Sequence, residues 1–261
     1  MYTNTFEQGM RAAVLAAGER IRELFLSKDL DIHEKSGPGD LVTRADFEAT
    51  EIALDLLKSY FPEIPVIGEE SGGKPTEDKC FYLDPLDGTL NFVHGYPNFA
   101  VSLGLWKGTK PLAGIVYNPI SRSLYFANLD QGAFKNGSPI RCSSKASLES
   151  SLLATGWPYD LSMTEQNARR IKKLRNLSQD VRNLGSAALS LCYVAEGILD
   201  GYFEEGLDTW DLAGGAIIAQ EAGAVVSDFE ENIFDLKKGE IIAAGKGIHH
   251  MIAEVIRNDH S

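Results

Sequence analysis

Cysteine is scarce in this 261-residue chain: Cys80, Cys142 and Cys192 lie far apart and form no CxxC pair. An odd number at such spacing argues against a disulfide framework and against a cysteine-held zinc cluster. Buried, reduced thiols are the expected role. Positive charge is also short, with 25 Lys and Arg against 37 Asp and Glu, a net charge of −12. A broadly acidic surface repels phosphate backbones, so bulk nucleic-acid binding is not expected. No apolar run approaches the roughly 18–20 residues of a membrane span. Met1 to Gln8 lacks the basic-then-apolar opening of a secretory signal. The expectation is a cytoplasmic globular protein with no membrane partner. An apolar fraction of 44% and a charged fraction of 24% agree with that class. The length allows one large domain or two modest ones.

Two helical patterns open the chain. Phe6, Met10, Ala13, Val14, Ala17, Ile21, Leu24 and Phe25 recur at spacings of three and four. A second helix is predicted over 45–60, with Pro62 ending it. Between them, Lys35-Ser36-Gly37-Pro38-Gly39-Asp40 reads as a turn-rich loop. Pro65-Val66-Ile67 and Cys80-Phe81-Tyr82-Leu83 read as short buried strands. From Phe99 to Phe134, alternating apolar runs broken by Gly and Pro predict antiparallel sheet. Lys135-Asn136-Gly137-Ser138 carries a type I′ hairpin signal. The Ser- and Lys-rich stretch 141–151 is the candidate boundary. It divides an N-terminal α+β part, 1–144, from a C-terminal α/β part, 145–261. In the latter, strands near 152–154, 181–184, 199–203, 225–226 and 241–244 alternate with helices, one of them capped by Ser186.

The chemistry points to Asp84-Pro85-Leu86-Asp87-Gly88-Thr89. A strand delivers Asp84, and Pro85 is expected to stop the ladder. Gly88 lets backbone approach a ligand. Thr89 is placed as the cap of a short helix whose amides face an anion. Two carboxylates about 4 Å apart repel by roughly 4 kcal/mol at an effective dielectric of 20. A divalent cation removes that cost, and all-oxygen ligands suit Mg²⁺. Taken alone, the segment also reads as an ordinary Asx-rich turn. Gly68-Glu69-Glu70-Ser71 follows the first short strand, and Asp211 opens a helix at Thr209-Trp210-Asp211. Each by itself reads as a solvated acidic loop or a favourable helix start.

Together these segments resemble the inositol monophosphatase family of lithium-sensitive, Mg²⁺-dependent phosphatases. The resemblance spans nearly the whole chain. It is carried by Lys35…Asp40-Leu41-Val42-Thr43…Asp46, Gly68-Glu69-Glu70-Ser71, Asp84 through Phe92, Gly132-Ala133-Phe134-Lys135-Asn136-Gly137, Gly185-Ser186-Ala187-Ala188 and Trp210-Asp211-Leu212-Ala213-Gly214.

It implies a layered αβαβα sandwich of the inositol monophosphatase and fructose-1,6-bisphosphatase type. It implies two to three Mg²⁺ ions held by Glu69, Asp84, the Leu86 carbonyl, Asp87 and Asp211. Glu69 and Thr89 would activate a water for direct in-line attack, with Asp46 supporting Thr89. Gly88 and Thr89 amides would grip the phosphate. Asp87, Gly185, Ser186, Ala187, Glu204 and Asp211 would contact a small phosphorylated polyol, and Lys35 and Glu70 would stand behind the ligands.

The implied reaction is hydrolysis of a myo-inositol phosphate to inositol and phosphate. Histidinol phosphate, fructose 1,6-bisphosphate and a phosphorylated nucleotide are alternatives within the same fold. A homodimer is expected. Some bacterial members also act as RNA polymerase or antitermination partners, for which Arg169 to Lys173 is the single local feature.

Other fragments are set aside. Gly239 to Gly247 has the wrong spacing for a P-loop. His249-His250 is expected to be an exposed pair, His94 structural, and Trp106, Trp157 and Trp210 core or interface aromatics. Arg169-Arg170 and Lys172-Lys173 are expected to form a solvated basic face.

Overall fold

The computed structural model describes residues 5–28, 30–37, 40–74, 76–158 and 161–258. In chain order the elements begin with α1 (Thr5–Ser27), β1 (His33–Gly37), β2 (Asp40–Val42), α2 (Arg44–Tyr60), β3 (Val66–Gly68), β4 (Lys79–Asp87) and α3 (Thr89–Val93). β5 (Ala100–Lys107), β6 (Lys110–Asn118), β7 (Ser123–Asn128), β8 (Ala133–Lys135) and β9 (Ser138–Ile140) follow. Then come β10 (Leu152–Thr155), α4 (Thr164–Leu177), β11 (Asp180–Asn183), α5 (Ala187–Glu196) and β12 (Gly201–Glu205). α6 (Thr209–Glu221), β13 (Val225–Ser227), β14 (Glu240–Ala244) and α7 (His249–Arg257) complete the chain.

Two sheets result. β3 to β9 form a seven-stranded sheet in sequence order, and β11-β10-β12-β14-β13 form a five-stranded mixed sheet. Both are covered on both faces, and the strand period of two shows how. In β4, Phe81 and Leu83 face the core shared with α1 and α2. Their neighbours Cys80 and Tyr82 face the opposite core, with Leu191 of α5 and Leu212 and Ala213 of α6. The outer face of the second sheet offers Leu153, Phe203, Ile242 and Ala244 to Leu174 of α4 and to Ile252 and Ile256 of α7. The layers therefore run α1/α2, sheet, α5/α6, sheet, α4/α7, an αβαβα sandwich.

The middle layer sets the geometry of everything near the site. Residues 66–140 build the first sheet and 152–244 contain the second, yet α5 and α6 pack on both. α6 approaches the first sheet at glycines. A Cβ on Gly104 would lie 2.5 Å from the Ala213 carbonyl carbon, and one on Gly114 would lie 2.4 Å from Gly214 O. Trp106 Nε1 donates to Ala213 O at 3.0 Å, fixing the axial position of the helix.

Several local expectations change. The segment 35–40 is flanked by paired strands: β1 and β2 run antiparallel with a register shift between Glu34 and Gly37, while Pro38 and Gly39 lie outside the described residues. Pro85 does not end β4. The ladder pairs Asp84 with Ser102, slips by one residue, and resumes with Asp87 opposite Ala100. A bulge accommodates the missing proline N–H without ending the strand.

His249 is buried, and only His250 is exposed. α7 buries His249, Ile252, Ala253 and Ile256, so His249 belongs to the apolar stripe. Its Nε2 lies 2.9 Å from Ser227 Oγ. Arg170 likewise turns inward with Asn167 and Leu174. It pairs with the buried Glu205 and lies 5.0 Å over the Phe229 ring, which removes it from the basic face. Trp157 is 48% exposed, because it follows the end of β10 where no layer covers it. The Asn136-Gly137 turn has φ of 50° and 81°, as a type I′ hairpin requires.

Candidate active site

The bulge in β4 places two carboxylates at one strand end. Asp84 Oδ1 accepts from Leu86 N at 2.9 Å, closing the extra residue into a tight loop. The Leu86 side chain is buried in the first core, so its carbonyl is held from below. Gly88 follows with φ +95°, and a Cβ there would sit 3.0 Å from Gly185 O and 3.1 Å from Asn98 O. No other residue combines that conformation with that clearance. Gly88, not Thr89, is the N-cap of α3, and Thr89 is its first helical residue. The Thr89 hydroxyl lies 2.9 Å from Leu86 O and 3.1 Å from Asp46 Oδ1. The first intrahelical bond runs from Phe92 N to Gly88 O at 3.0 Å. The amides of the preceding turn therefore have no helical acceptor.

Four acidic side chains from three distant segments meet around this loop. Asp84 and Asp87 are buried. Burial pushes the Asp84 carboxyl well above its ordinary range, and the charges of Glu69, Asp87 and Asp211 push it further. Asp211 is raised in the same way, by burial and then by Asp87. Its Oδ2 accepts from Asp208 N at 2.8 Å within the capping box that starts α6. Asp87 is pushed up to about 6, chiefly by burial. The start of α5 opposes that rise: Ser186 Oγ donates to Oδ2, Ala188 N donates to Oδ2 at 3.0 Å, and Ala187 N donates to Oδ1 at 3.1 Å. Ser186 at the same time caps α5, its Oγ accepting from Leu189 N at 3.2 Å.

A second group stands behind the first. Asp46 is fully buried and pushed up to about 7, first by desolvation. Its Oδ2 accepts from Thr43 N and Thr43 Oγ1, both at 2.7 Å, in the capping box of α2. Lys35 on β1 donates to Glu69 at 2.7 Å and also to Glu70. Burial works against the Lys35 charge, but the two carboxylates outweigh it and raise its pKa. At the far side, Glu204 of β12 is pushed up to about 7 by burial, while Tyr202 Oη donates to it at 2.5 Å. Gly156 makes room for that carboxylate, since a Cβ there would lie 2.0 Å from Glu204 Oε1.

The sequence-predicted residues thus gather in one region. Glu69, Asp84, Asp87 and Asp211 perturb one another electrostatically, Thr89 touches Asp46, and Gly185 to Ala187 lie against Gly88 and Asp87. Glu204 feels the Asp87 charge as well. Sequence reasoning passed over Thr43 as the anchor of Asp46, Tyr202 as the partner of Glu204, Gly156 beneath it, and Asn91 and Asn98. Asn91 lies inside the segment already singled out. Thr43 lies inside another, three residues before Asp46, and Tyr202 stands two residues before Glu204 on one strand face, whereas the partners of Gly156 and Asn98 are distant in sequence.

The donor set is chemically suited to a hard divalent cation. It is all oxygen, and burial together with the neighbouring negative charges raises Asp84, Asp87 and Asp211 into a state that a cation would relieve. Among the described residues no three His, Cys, Asp or Glu side chains are gathered tightly enough to hold a metal as they stand. The reason is visible in the hydrogen bonds: Glu69 turns to Lys35, Asp87 to α5 and Asp211 to Asp208 N.

Comparison with known proteins agrees with this architecture. A sequence model of the inositol monophosphatase family matches residues 3–261. An inositol-1-monophosphatase of Synechocystis is 43% identical over 247 residues, covering 94% of this chain and 86% of that protein. The Nus factor SuhB of Vibrio cholerae is 37% identical over 256 residues, covering 97% and 96%. Among solved structures, the extragenic suppressor protein suhB of Bartonella henselae superposes with a TM-score of 0.93 at 34% identity, covering 98% of this chain and 99% of that one.

Proposed function

Since the chain belongs to the inositol monophosphatase family, a family of metal-dependent phosphatases, we propose that it hydrolyses a myo-inositol monophosphate with two to three Mg²⁺ ions per site. One observation carries this reading: Asp84 and Asp87 at the end of β4 and Asp211 at the start of α6 are brought together beside Glu69. On top of burial, the charges of Glu69, Asp87 and Asp211 raise Asp84, those of Asp87 and Glu69 raise Asp211, and that of Glu69 raises Asp87. Glu69, Asp84, the Leu86 carbonyl, Asp87 and Asp211 would hold the ions. Bound Mg²⁺ acidifies water and neutralises charge on the phosphate and the leaving oxygen.

The chain's own groups do the rest. Thr89 Oγ1 orients the attacking water and passes its proton towards Asp46, whose raised pKa of about 7 suits it to accept near neutrality. Glu69 shares in that activation once released from Lys35. The Gly88 and Thr89 amides bind phosphate oxygens at the start of α3. Gly185, Ser186, Ala187, Asp87, Asp211 and Glu204 receive the polyol. Asp87 and Glu204 are hydroxyl acceptors, which is why a ring rich in hydroxyls is favoured. Two further family traits, a homodimer and lithium sensitivity, belong to the same reading. Among the described residues no helix is long and apolar enough to cross a membrane.

The test is phosphate release from myo-inositol 1-phosphate in Mg²⁺ and in EDTA. Release should fall to the buffer rate in EDTA and return on adding Mg²⁺; equal rates in both would overturn the proposal. A panel with histidinol phosphate, fructose 1,6-bisphosphate and a nucleoside monophosphate ranks the substrates.

A second reading rests on the 37% identity to the Vibrio Nus factor SuhB. The basic helix face that would serve it is reduced to Arg169, Lys172 and Lys173, because Arg170 is buried. Recovery of RNA polymerase with the tagged protein, lost on charge reversal at Lys172 and Lys173, would support it.

Glu204→Gln separates polyol recognition from chemistry. The folded carboxyl sits at about 7 instead of 4.5, so its neutral form is the stabilising one. That contribution is present below about pH 4.5 and is lost as pH rises through about 7. Thermal melts should show Glu204→Gln more stable than the parent at pH 8, by on the order of 3 kcal/mol, with the two converging near pH 4.5. KM for inositol 1-phosphate should rise about tenfold at pH 8, since a charged acceptor is worth roughly 1–1.5 kcal/mol more than a neutral one. An unchanged KM would remove Glu204 from the substrate site.

A further inference from the structure

The turn that leads into α5 is held by two asparagines that touch none of the four metal-site carboxylates. Asn91 Nδ2 lies 2.7 Å from Asn98 O, 2.9 Å from Leu184 O and 3.1 Å from Gly185 O. Asn98 Nδ2 donates to Leu184 O at 2.8 Å, and Tyr193 Oη donates to Asn98 Oδ1 at 2.9 Å. One side chain from α3 and one from the loop after it therefore converge on two successive carbonyls about 90 residues downstream, and Tyr193 of α5 holds the Asn98 side chain in place.

The backbone is shaped to receive them. Gly185 has φ +67°, and a Cβ there would lie 2.9 Å from the Asn91 amide. A Cβ on Gly88 would in turn lie 3.0 Å from Gly185 O. The two glycines let the loops meet, and the asparagines fix the distance between them. The turn runs directly into Ser186, Ala187 and Ala188, whose hydroxyl and amides are the donors on Asp87. A shift of this turn therefore moves the groups that aim the Asp87 carboxylate.

We infer that Asn91 and Asn98 are positioning residues for the phosphatase reaction, clamping the 184–186 turn so that the start of α5 presents Asp87 to the metal and the turn to the polyol. The inference rests on the proposed function above. Asn91 acts through Gly185 and Asp87 and is not itself a catalytic residue. An amide is required at both positions because each must give its donors to backbone carbonyls, while Asn98 must also accept from Tyr193.

The experiment compares wild type, Asn91→Ala, Asn98→Ala, the double variant carrying both substitutions, and Tyr193→Phe. Each is titrated calorimetrically with Mg²⁺ alone, then assayed with inositol 1-phosphate at saturating Mg²⁺, with Tm measured alongside. Asn91→Ala should weaken Mg²⁺ binding about tenfold, equivalent to about 1.4 kcal/mol, and raise KM more than it lowers kcat. Asn98→Ala should move both quantities in the same direction. The double variant should cost less than the sum, as for residues acting through one turn. Tyr193→Phe, which keeps the ring and loses one hydroxyl, should weaken Mg²⁺ binding by about twofold to threefold, in line with one lost hydrogen bond. It reads the clamp even if the alanine variants do not fold. Lowered Tm with unshifted Mg²⁺ affinity and KM in these variants would overturn the clamp and leave the network a matter of folding. Wild-type protein that neither binds Mg²⁺ nor releases phosphate would instead overturn the functional reading.

Discussion

Asp84→Asn is expected to raise the melting temperature of the metal-free protein while reducing phosphate release at least a thousandfold, about 4 kcal/mol of lost barrier lowering. The substitution keeps the side chain's shape, and the amide oxygen can still accept from Leu86 N, the bond that closes the bulge. What it removes is a buried negative charge facing Glu69, Asp87 and Asp211. A carboxyl whose folded pKa is raised stabilises the fold only while protonated. That contribution is present below the ordinary carboxyl range and is lost as pH rises through the raised value. The Asn variant should therefore gain most at pH 8, by at least about 3 °C, what roughly 1 kcal/mol is worth in a chain of this size. The gain should shrink as the pH is lowered.

Saturating Mg²⁺ should reverse the order. Ligand at 100 times its Kd stabilises by about 2.7 kcal/mol, and only the protein with its ligand intact collects that in full. Melts at pH 8 with EDTA and with Mg²⁺ are the measurement. A variant less stable than wild type in EDTA would show that the carboxylates are not in conflict, and the case for a cation at this site would fail with it.

The strand end that creates this conflict shows what can be read from the chain alone. The α/β alternation was legible, because apolar runs of period two in β5 to β7 and of period 3.6 in α1 and α2 are local. The Asn136-Gly137 turn was equally local, and its two positive φ values stem from the residue types. The course of β4 past Pro85 was not. Whether a proline ends a strand or sits in a bulge depends on the partner strand, and that partner is β5. The cap of α3 went wrong for a related reason. Thr is a good cap in isolation, but Gly88 occupies the position because Gly185 O and Asn98 O leave no space for a side chain. Arg170 and His249 look solvated by type. Their helical positions put them on buried faces, where Glu205 and Ser227 supply the polar partners. The acidic residues of the site were nameable through resemblance, whereas their mutual electrostatics depends on α6 packing against β4 and β5. Asn91, Asn98 and Gly156 matter only through such long-range contacts.

Thr89→Val carries the second large effect, and it isolates the proton path from metal binding. Valine matches threonine in shape, so α3 should keep its start and Gly88 its conformation. The change deletes one hydroxyl, which lies 3.1 Å from Asp46 Oδ1 and 2.9 Å from Leu86 O. That hydroxyl has one proton and two acceptors. When it donates to Asp46, a lone pair is left to receive a proton from the attacking water. Asp46 is pushed up to about 7 and keeps both bonds from Thr43 without Thr89, so its position should survive the substitution. The expected result is a fall in kcat of about 10²- to 10⁴-fold, the usual worth of a positioned acid–base group. KM and calorimetric Mg²⁺ affinity should change little. Thr89→Ser should retain most of the activity, because it restores the hydroxyl and loses only a methyl. If Thr89→Val keeps more than about a tenth of wild-type kcat, proton transfer does not run through this hydroxyl. Glu69, freed from Lys35, would then be the base that remains within the site.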